Sequence, residues 1–424
     1  AAPAAPAPAP EAAPAPAPAA DKPLFGLSMA LDAQQTFDTL LVGPYNRFAH
    51  AAATSVVSAP GTMYNPLFLY GPPGVGKTHF LHAIAKGLGG VVGEESVVLT
   101  SGYRLSTAVS RAAAAGKLQE VKDFLFKAKA LVIDSVHLMA VSEENKGALA
   151  EIMAHFFSNN HQVVLGSIYP ARALGALEEA LKISLAKGWA VDLKVPSQVV
   201  QVDIIQAWMD RHQIQLTTDD ARMFHERLQT NYAEVLLWMT RMTTLMKFRQ
   251  KVTGAEQKPA EMLNTLFDPG VANADFPGPN DLESTKNYAP PGPGPDAINI
   301  GLIVPKGHEA MAGWVASQFY AAAKQHGITQ TYRHVLLQGY DAQQPFGVPF
   351  QVGEACLRAG AQAALIVGPP NDSQLAAKAG EFQHAVAHVL ESLDIACGWV
   401  GHRGTMAPAP FLRAHLDFIA GRMK

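Results

Sequence analysis

Apolar positions fall into two patterned regions. The first begins at Leu31 and stays globular in character to about Thr253. Within it, Leu67–Tyr70 and Ala130–Asp134 read as short apolar strands, and Phe80–Lys86 carries the spacing of a helix. The second region alternates cleanly. It predicts strand Ile298–Val304, helix Glu309–Gln325, strand Val335–Gly339 and helix Val352–Ala359. Strand Ala363–Val367, helix Ser373–Ser392, strand Ile395–Val400 and helix Phe411–Arg422 follow. Strands alternating with helices predict a parallel sheet covered on both faces, a doubly wound, flavodoxin-like α/β unit over 297–424. Its last helix leaves no room in this sequence for a further DNA-binding unit. No internal repeat is visible.

Two segments break these patterns. Residues 1–20 hold twelve Ala, seven Pro and one Glu. Proline at nearly every second position forbids helix and removes backbone donors, so 1–22 is expected to be an extended tether. A chain opening on such a tether, with Ala at position 1, leads us to expect something upstream of it. The second break is Pro/Gly-rich from Asp268 to Asp296, and we read 254–296 as a linker.

At 424 residues the chain exceeds one ordinary core, so two or three folded units are expected. Charged residues make up only 16%, and the net charge is −3. That balance predicts no strong duplex DNA binding from bulk charge. Two cysteines, Cys356 and Cys397, exclude a disulfide framework and a Cys-rich zinc site. No apolar run reaches the roughly 20 residues of a membrane span, and no signal peptide is visible. We expect a cytoplasmic protein without membrane contact.

The densest chemistry lies in Gly71-Pro72-Pro73-Gly74-Val75-Gly76-Lys77-Thr78, flanked by the apolar strand and by a helix that His79 enters. Strand, glycine loop and helix in that order are what a P-loop requires. The glycines let backbone N–H groups approach and cradle phosphates, and the helix N-terminus adds its dipole. Lys77 would reach the β/γ-phosphates, and the Thr78 hydroxyl would ligate Mg²⁺. Asp134, at the carboxyl end of an apolar strand, is the carboxylate that would hold the metal through water. The next residue is Ser135, where hydrolysing enzymes of this type place a second acid. A serine there is no general base without a partner.

Further boxes extend the match. Thr36-Phe-Asp-Thr-Leu-Leu-Val-Gly-Pro-Tyr-Asn-Arg-Phe-Ala-His-Ala-Ala52, Tyr64-Asn-Pro-Leu-Phe-Leu-Tyr-Gly71, His79-Phe-Leu-His-Ala-Ile84 and Leu131-Val-Ile-Asp-Ser-Val-His-Leu-Met-Ala140 resemble the DnaA family of bacterial replication initiators (DnaA/Hda type). The likeness runs from about Leu31 to Lys251. It implies an AAA+ P-loop core over 31–196 and a helical lid over 197–253, with Tyr45 and Asn46 beside the adenine of ATP or ADP.

Against that family pattern several positions depart. Sensor 1 would end in Ser-Asp, whereas Ser167 is followed by Ile168. The arginine-finger segment aligns with Leu177–Leu185, where both arginine positions are lost, to Ala180 and Ser184. Ala233 stands at the sensor 2 arginine. Finger arginines contribute on the order of 10³–10⁵ in rate, so hydrolysis is expected to be weak or absent. Lys187 or Arg241 could partly substitute, although each lies several positions from the aligned site. The family's helix-turn-helix DNA reader is also missing, so replication initiation as such does not transfer.

In the second unit, four strand ends carry glycine and polar residues, and an open α/β sheet binds ligands at that edge. His308, Asp341, Asp372, His402 and Arg403 are the candidates there, set against ordinary surface loops. Cys356 and Cys397 read as buried thiols more readily than as a redox pair. His384 and His388, four apart on one helix, share a face that could take a metal but lack a Glu motif.

Together these readings describe a regulator or scaffold that binds Mg-ATP or Mg-ADP as a conformational or assembly element. Its second domain would serve as a partner or sensor module, and weak self-association through the AAA+ face stays open. The alternatives are an active DNA-associated ATPase whose arginine comes from a partner chain, and a scaffold that holds no nucleotide.

Overall fold

The computed structural model describes residues 23–212, 214, 216–227, 235–253, 288–343, 347–402 and 408–423. The proposed tether, most of the linker, Ala233 and Arg403 lie outside the described residues.

The first sheet is built from β1 (Leu67–Tyr70), β2 (Val97–Ser101), β3 (Ala130–Asp134), β4 (Gln162–Ser167) and β5 (Trp189–Asp192), all parallel in the order β2-β3-β4-β1-β5. Its central strands are buried along nearly their whole length because both faces are covered. Phe68, Leu131, Ile133, Val163 and Leu165 enter one core cluster, while Leu67, Leu69, Ala130, Val132 and Val164 enter another. Successive strand side chains point to opposite faces, so an unbroken apolar run feeds two cores at once. The connecting helices are α1 (Arg47–Ser58), α2 (Lys77–Val92), α3 (Gly102–Ala114), α4 (Leu118–Lys127), α5 (Lys146–Ser158) and α6 (Gly175–Leu181). A second layer of helices follows the sheet: α7 (Gln198–Arg211), α8 (Thr218–Arg227) and α9 (Val235–Thr253).

The second sheet contains β6 (Ile298–Pro305), β7 (Tyr332–Tyr340), β8 (Ala363–Val367) and β9 (Ala396–Val400) in the order β7-β6-β8-β9, again parallel. Counted within this domain the order is 2-1-3-4, the winding of a flavodoxin-like sheet. Its helices are α10 (Ala312–Gln325), α11 (Val348–Arg358), α12 (Ala379–Glu391) and α13 (Pro408–Met423). Ile300, Leu302 and Val304 face one core cluster, and Ile303, Ala364 and Ile366 face the other.

Several element ends differ from the sequence expectation, each for a local reason. β7 begins at Tyr332, before the expected Val335, because the buried Tyr332 anchors a stretch that Arg333 and His334 make look polar. α11 starts at Val348: Gly347 supplies a φ of 89° and Pro349 fits the first turn, where no backbone donor is needed. α12 starts only at Ala379, although the helix was expected from Ser373. The N–H and hydroxyl of Ser373 both donate to the Pro370 carbonyl, at 3.0 and 2.6 Å, and the Leu375 N–H donates to the Ala342 carbonyl. That segment is tied to two strand-end loops and joins the helix only after a short 3-10 turn. Residues 288–296, the described end of the linker, lie along the second sheet. Gln330 donates to the Asp296 carbonyl at 3.0 Å, and the Tyr288 ring packs 6.3 Å from Tyr320.

Candidate nucleotide site

The chain turns sharply after β1. Gly74 and Gly76 take φ values of 85° and 92°, a region that side chains with a Cβ avoid. Space around Gly76 is open, with nothing within 4 Å of where a Cβ would stand. Gly71 is required for the opposite reason, since a Cβ there would lie 2.3 Å from the Leu193 carbonyl oxygen. Val75 is buried in the core beside the sheet and pins the loop from below. Pro72 and Gly74 are exposed, so the concave side of the loop faces solvent.

Lys77 is 7% exposed, and its ammonium donates to the carbonyls of Gly71 and Pro72, both at 2.8 Å. Burial pushes its pKa down to about 8, partly offset by the nearby Asp134 carboxylate. A cation held in a water-poor loop is under-neutralised, and an anion in the loop would relieve it. The Thr78 hydroxyl donates to Asp134 Oδ2 at 2.6 Å. The other oxygen, Oδ1, accepts the Ser135 N–H at 2.6 Å and lies 3.3 Å from the Ser135 hydroxyl. Ser135 holds a left-handed φ of 47° to make those contacts. Its side chain therefore fastens the carboxylate and is turned away from any role as a base.

One residue of this centre escaped sequence reasoning. Gly166 on β4 faces Asp134: a Cβ there would lie 3.1 Å from Oδ1 and 2.8 Å from Leu81. A larger residue would crowd Leu81 and the Oδ1 oxygen that accepts from Ser135. The only hint in the sequence was a glycine inside an apolar strand.

Tyr45 and Asn46 stand in a turn ahead of α1. Asn46 is buried, accepts the Gly43 N–H at 2.9 Å and donates to the Leu41 carbonyl at 2.9 Å. It shapes the turn, while the Tyr45 hydroxyl donates to the same carbonyl at 2.7 Å. His79 Nε2 lies 2.9 Å from the Thr36 carbonyl and 3.2 Å from the Thr39 hydroxyl, linking this turn to the start of α2. Arg211, at the end of α7, donates to the Thr39 carbonyl. His82 accepts the Asp32 N–H at 3.0 Å, and burial lowers its pKa.

The departures from the ATPase pattern stand as apolar or neutral groups. Ile168 is half-buried past β4, Ala180 lies on α6, and Ser184 and Lys187 are exposed on the following turn. Arg241 does not substitute for a lost arginine. It is buried, and its guanidinium donates Nε and Nη2 to the two oxygens of Asp417 at 2.9 and 2.8 Å. That bidentate pair consumes the charge in a contact with α13.

The second sheet brings His308 and His402 together, with ring nitrogens 3.3 Å apart and rings edge to face. Asp341 caps its own turn by accepting the Gln343 N–H, and Asp372 lies exposed on the neighbouring loop. His384 and His388 have ring centroids 6.4 Å apart. Among the described residues no group of three or more His, Cys, Asp or Glu side chains is placed to hold a metal. Cys356 and Cys397 are free thiols, both pushed up by burial, Cys356 to about 12. Among the described residues no helix is long and apolar enough to cross a membrane.

A parallel sheet in the order β2-β3-β4-β1-β5, with a glycine loop after β1 and a carboxylate at the end of β3 beyond the intervening β4, has the layout of a P-loop AAA+ module. Residues 31–192 match the family model described as the bacterial DnaA ATPase domain, and over this segment the chain is DnaA-like. Domain III of the Thermotoga maritima replication initiation protein DnaA shares 24% identity at a TM-score of 0.50, covering 55% of this chain and 96% of that one. AMPPCP-bound DnaA from Aquifex aeolicus is similar at 21% identity and a TM-score of 0.45, over 61% of this chain and 79% of that one.

Proposed function

We propose that this protein binds Mg-ATP or Mg-ADP in the Gly71–Thr78 loop as a conformational or assembly element, with little or no hydrolysis, and acts as a regulator or scaffold. The carrying observation is the contrast between an intact cradle and a neutral periphery. Gly74 and Gly76 hold the loop open, Lys77 lies under-neutralised within it, and Thr78 already contacts Asp134. Around them Ser135, Ile168 and Ser184 offer neither a second acid nor a cation.

The backbone of the loop and Lys77 would hold the phosphates. Thr78 and Asp134 would hold Mg²⁺, which when bound supplies charge neutralisation between the terminal phosphates. Tyr45, Asn46 and His79 line the approach expected for the base. The domain reading that goes with this is a core over 31–196, a lid over 197–253 and a second α/β domain from 297.

The test is nucleotide affinity measured beside turnover on the full chain. Tight Mg-ATP or Mg-ADP binding with negligible phosphate release supports the proposal. Brisk ATPase activity that disappears in Lys77→Ala would overturn the claim of weak hydrolysis. Stimulation by a partner protein or single-stranded DNA would favour the borrowed-arginine alternative. A melting temperature indifferent to saturating nucleotide would overturn binding altogether, since a ligand at 100 times its Kd stabilises by about 2.7 kcal/mol.

A further inference from the structure

The second domain touches both parts of the nucleotide module, and each contact contains an arginine–aspartate pair. On the core side, Arg104 near the start of α3 meets Asp394, just past α12, at 2.6 Å. The adjacent Tyr103 packs its ring 5.3 Å from Phe350 of α11, and its hydroxyl closes over Gly353. On the lid side, Arg241 of α9 is clasped by Asp417 of α13, both side chains less than 10% exposed. Trp238 lies between two cations, Arg241 at 5.0 Å and Arg413 at 5.1 Å from its ring centre. Ile205, Met209, Phe224 and Met242 of the lid share one apolar cluster with Leu412 and Leu416 of α13.

The core contact is mechanically close to the candidate site. Gly102, which opens α3, sits against the turn after β3: a Cβ there would lie 2.8 Å from the Ser135 carbonyl. A movement of Ser135 and Asp134 therefore presses directly on the residues that carry Tyr103 and Arg104. The lid contact reaches the same site by its other end, through Arg211, Thr39 and His79.

We infer that the second domain is an intramolecular clamp: by gripping α3 of the core and α9 of the lid together it fixes the angle between them, and its docking is thermodynamically linked to nucleotide binding. The clamp stands on the contacts above, and the linkage rests also on the proposed nucleotide site. A bidentate buried pair suits this role because its fixed fork geometry enforces one register between the two helices. Linkage is reciprocal, so whatever docking does to nucleotide affinity, nucleotide must do to docking by the same factor.

The experiment uses the full chain with Asp417→Asn and, as a milder variant on the half-exposed side of the clamp, Asp394→Ala. Amide hydrogen exchange reports docking, and titration with Mg-ADP reports the site. In Asp417→Asn the amides of α9 and α13 are expected to lose protection together, and Mg-ADP affinity is expected to fall at least about fivefold, the lower end of ordinary coupling. Saturating Mg-ADP should raise protection of α13 in the wild type. Asp394→Ala should show the same pattern, more weakly, at α3 and the α12 end. Loss of protection confined to α13, with α9 unchanged, overturns the clamp. Joint loss of protection with unchanged Mg-ADP affinity overturns the linkage. Wild-type protein that binds no nucleotide removes the site and the linkage with it, while the exchange pattern still decides the clamp.

Discussion

The carboxyl edges of the two parallel sheets invite direct comparison, because both present glycine-bearing loops where an α/β sheet takes its ligands. At the first edge the polar capacity is left open. Gly74 and Gly76 set the backbone, the ground around Gly76 is clear, and the Lys77 ammonium is hydrogen-bonded to two backbone carbonyls. At the second edge the polar groups are satisfied among themselves: His308 with His402, Asp341 with its own turn, Ser373 with Pro370. Loops of similar composition thus differ in whether their hydrogen-bonding groups face outward or inward. At the first, an anion would draw the Lys77 ammonium from two loop carbonyls to a charge-matched partner, whereas at the second a ligand would displace contacts between side chains without that gain.

The largest effect is expected where the two sheets' domains are joined. Asp417→Ala leaves Arg241 buried and unpaired, and breaking such a pair costs about 3–5 kcal/mol. Urea unfolding should show this as a lowered midpoint, with the signal of α7 to α9 shifting with the second domain. A change below 1 kcal/mol would mean that Arg241 finds water or another acceptor, and that the domains stand more independently than their shared apolar cluster implies.

Next comes the cradle itself. Lys77→Ala should weaken Mg-ADP binding by roughly 10- to 100-fold, as expected for charge-assisted hydrogen bonds of about 1.5–3 kcal/mol. The same substitution should leave the nucleotide-free protein as stable as before or slightly more so, because it removes a buried cation that burial already holds near a pKa of 8. Calorimetric titration and thermal melting separate the two outcomes. Reduced stability without nucleotide would show that the bonds to Gly71 and Pro72 hold the loop together.

These expectations also mark what was legible in the sequence. The P-loop could be read from residue order, because glycine spacing dictates backbone conformation and backbone conformation is the binding site. Asp134 was legible as a polar end to an apolar run. The alternation after Ile298 gave the winding of the second sheet, since strand and helix periods differ so plainly. Contacts between distant segments were not legible. Arg241 reads as a spare lid cation in the sequence, and only the fold brings it against Asp417, 176 positions away. Nor did Ser135 reveal that it would clasp its neighbouring aspartate instead of merely lacking an acid's chemistry. Gly166 was hidden for the same reason, its constraint coming from a carboxylate on another strand.

A smaller effect is expected inside the second domain at His415, which is fully buried between Phe319 and Tyr332. Its Nε2–H donates to the Phe319 carbonyl at 2.7 Å, so Nδ1 accepts the Tyr332 hydroxyl at 2.7 Å and the ring is neutral. Burial pushes its pKa down to about 3 from an ordinary 6.5. Between those values the unfolded chain binds a proton that the folded one refuses. The contribution is therefore fully present above pH 6.5 and is lost as pH falls toward 3. His137 and His384, lowered to about 3 and about 4, act in the same direction. His415→Leu should cost about 1–3 kcal/mol at pH 7 by stranding the two partners, and should flatten the acid dependence by up to one proton. Urea midpoints compared at pH 7 and pH 5 measure both.

The smallest effect tests the comparison itself. If the second edge is a set of mutually satisfied surface loops, His308→Ala should change stability within about 0.5 kcal/mol, as for a surface contact without structural duty. The two half-buried rings meet at 3.3 Å between strand-end loops, so losing one ring is expected to cost little. Mg-ADP affinity should be untouched, since the pair sits on β6 and β9 loops and takes no part in the Arg104 or Arg241 contacts. A gain in stability would be informative in its own right. A stabilised variant would mean that the facing imidazoles cost the fold something, and a cost retained in a fold is what a ligand-binding edge, and no passive loop, would show. Thermal melting of the single variant distinguishes the outcomes, with a stabilised His308→Ala being the result that erases the contrast between the two edges.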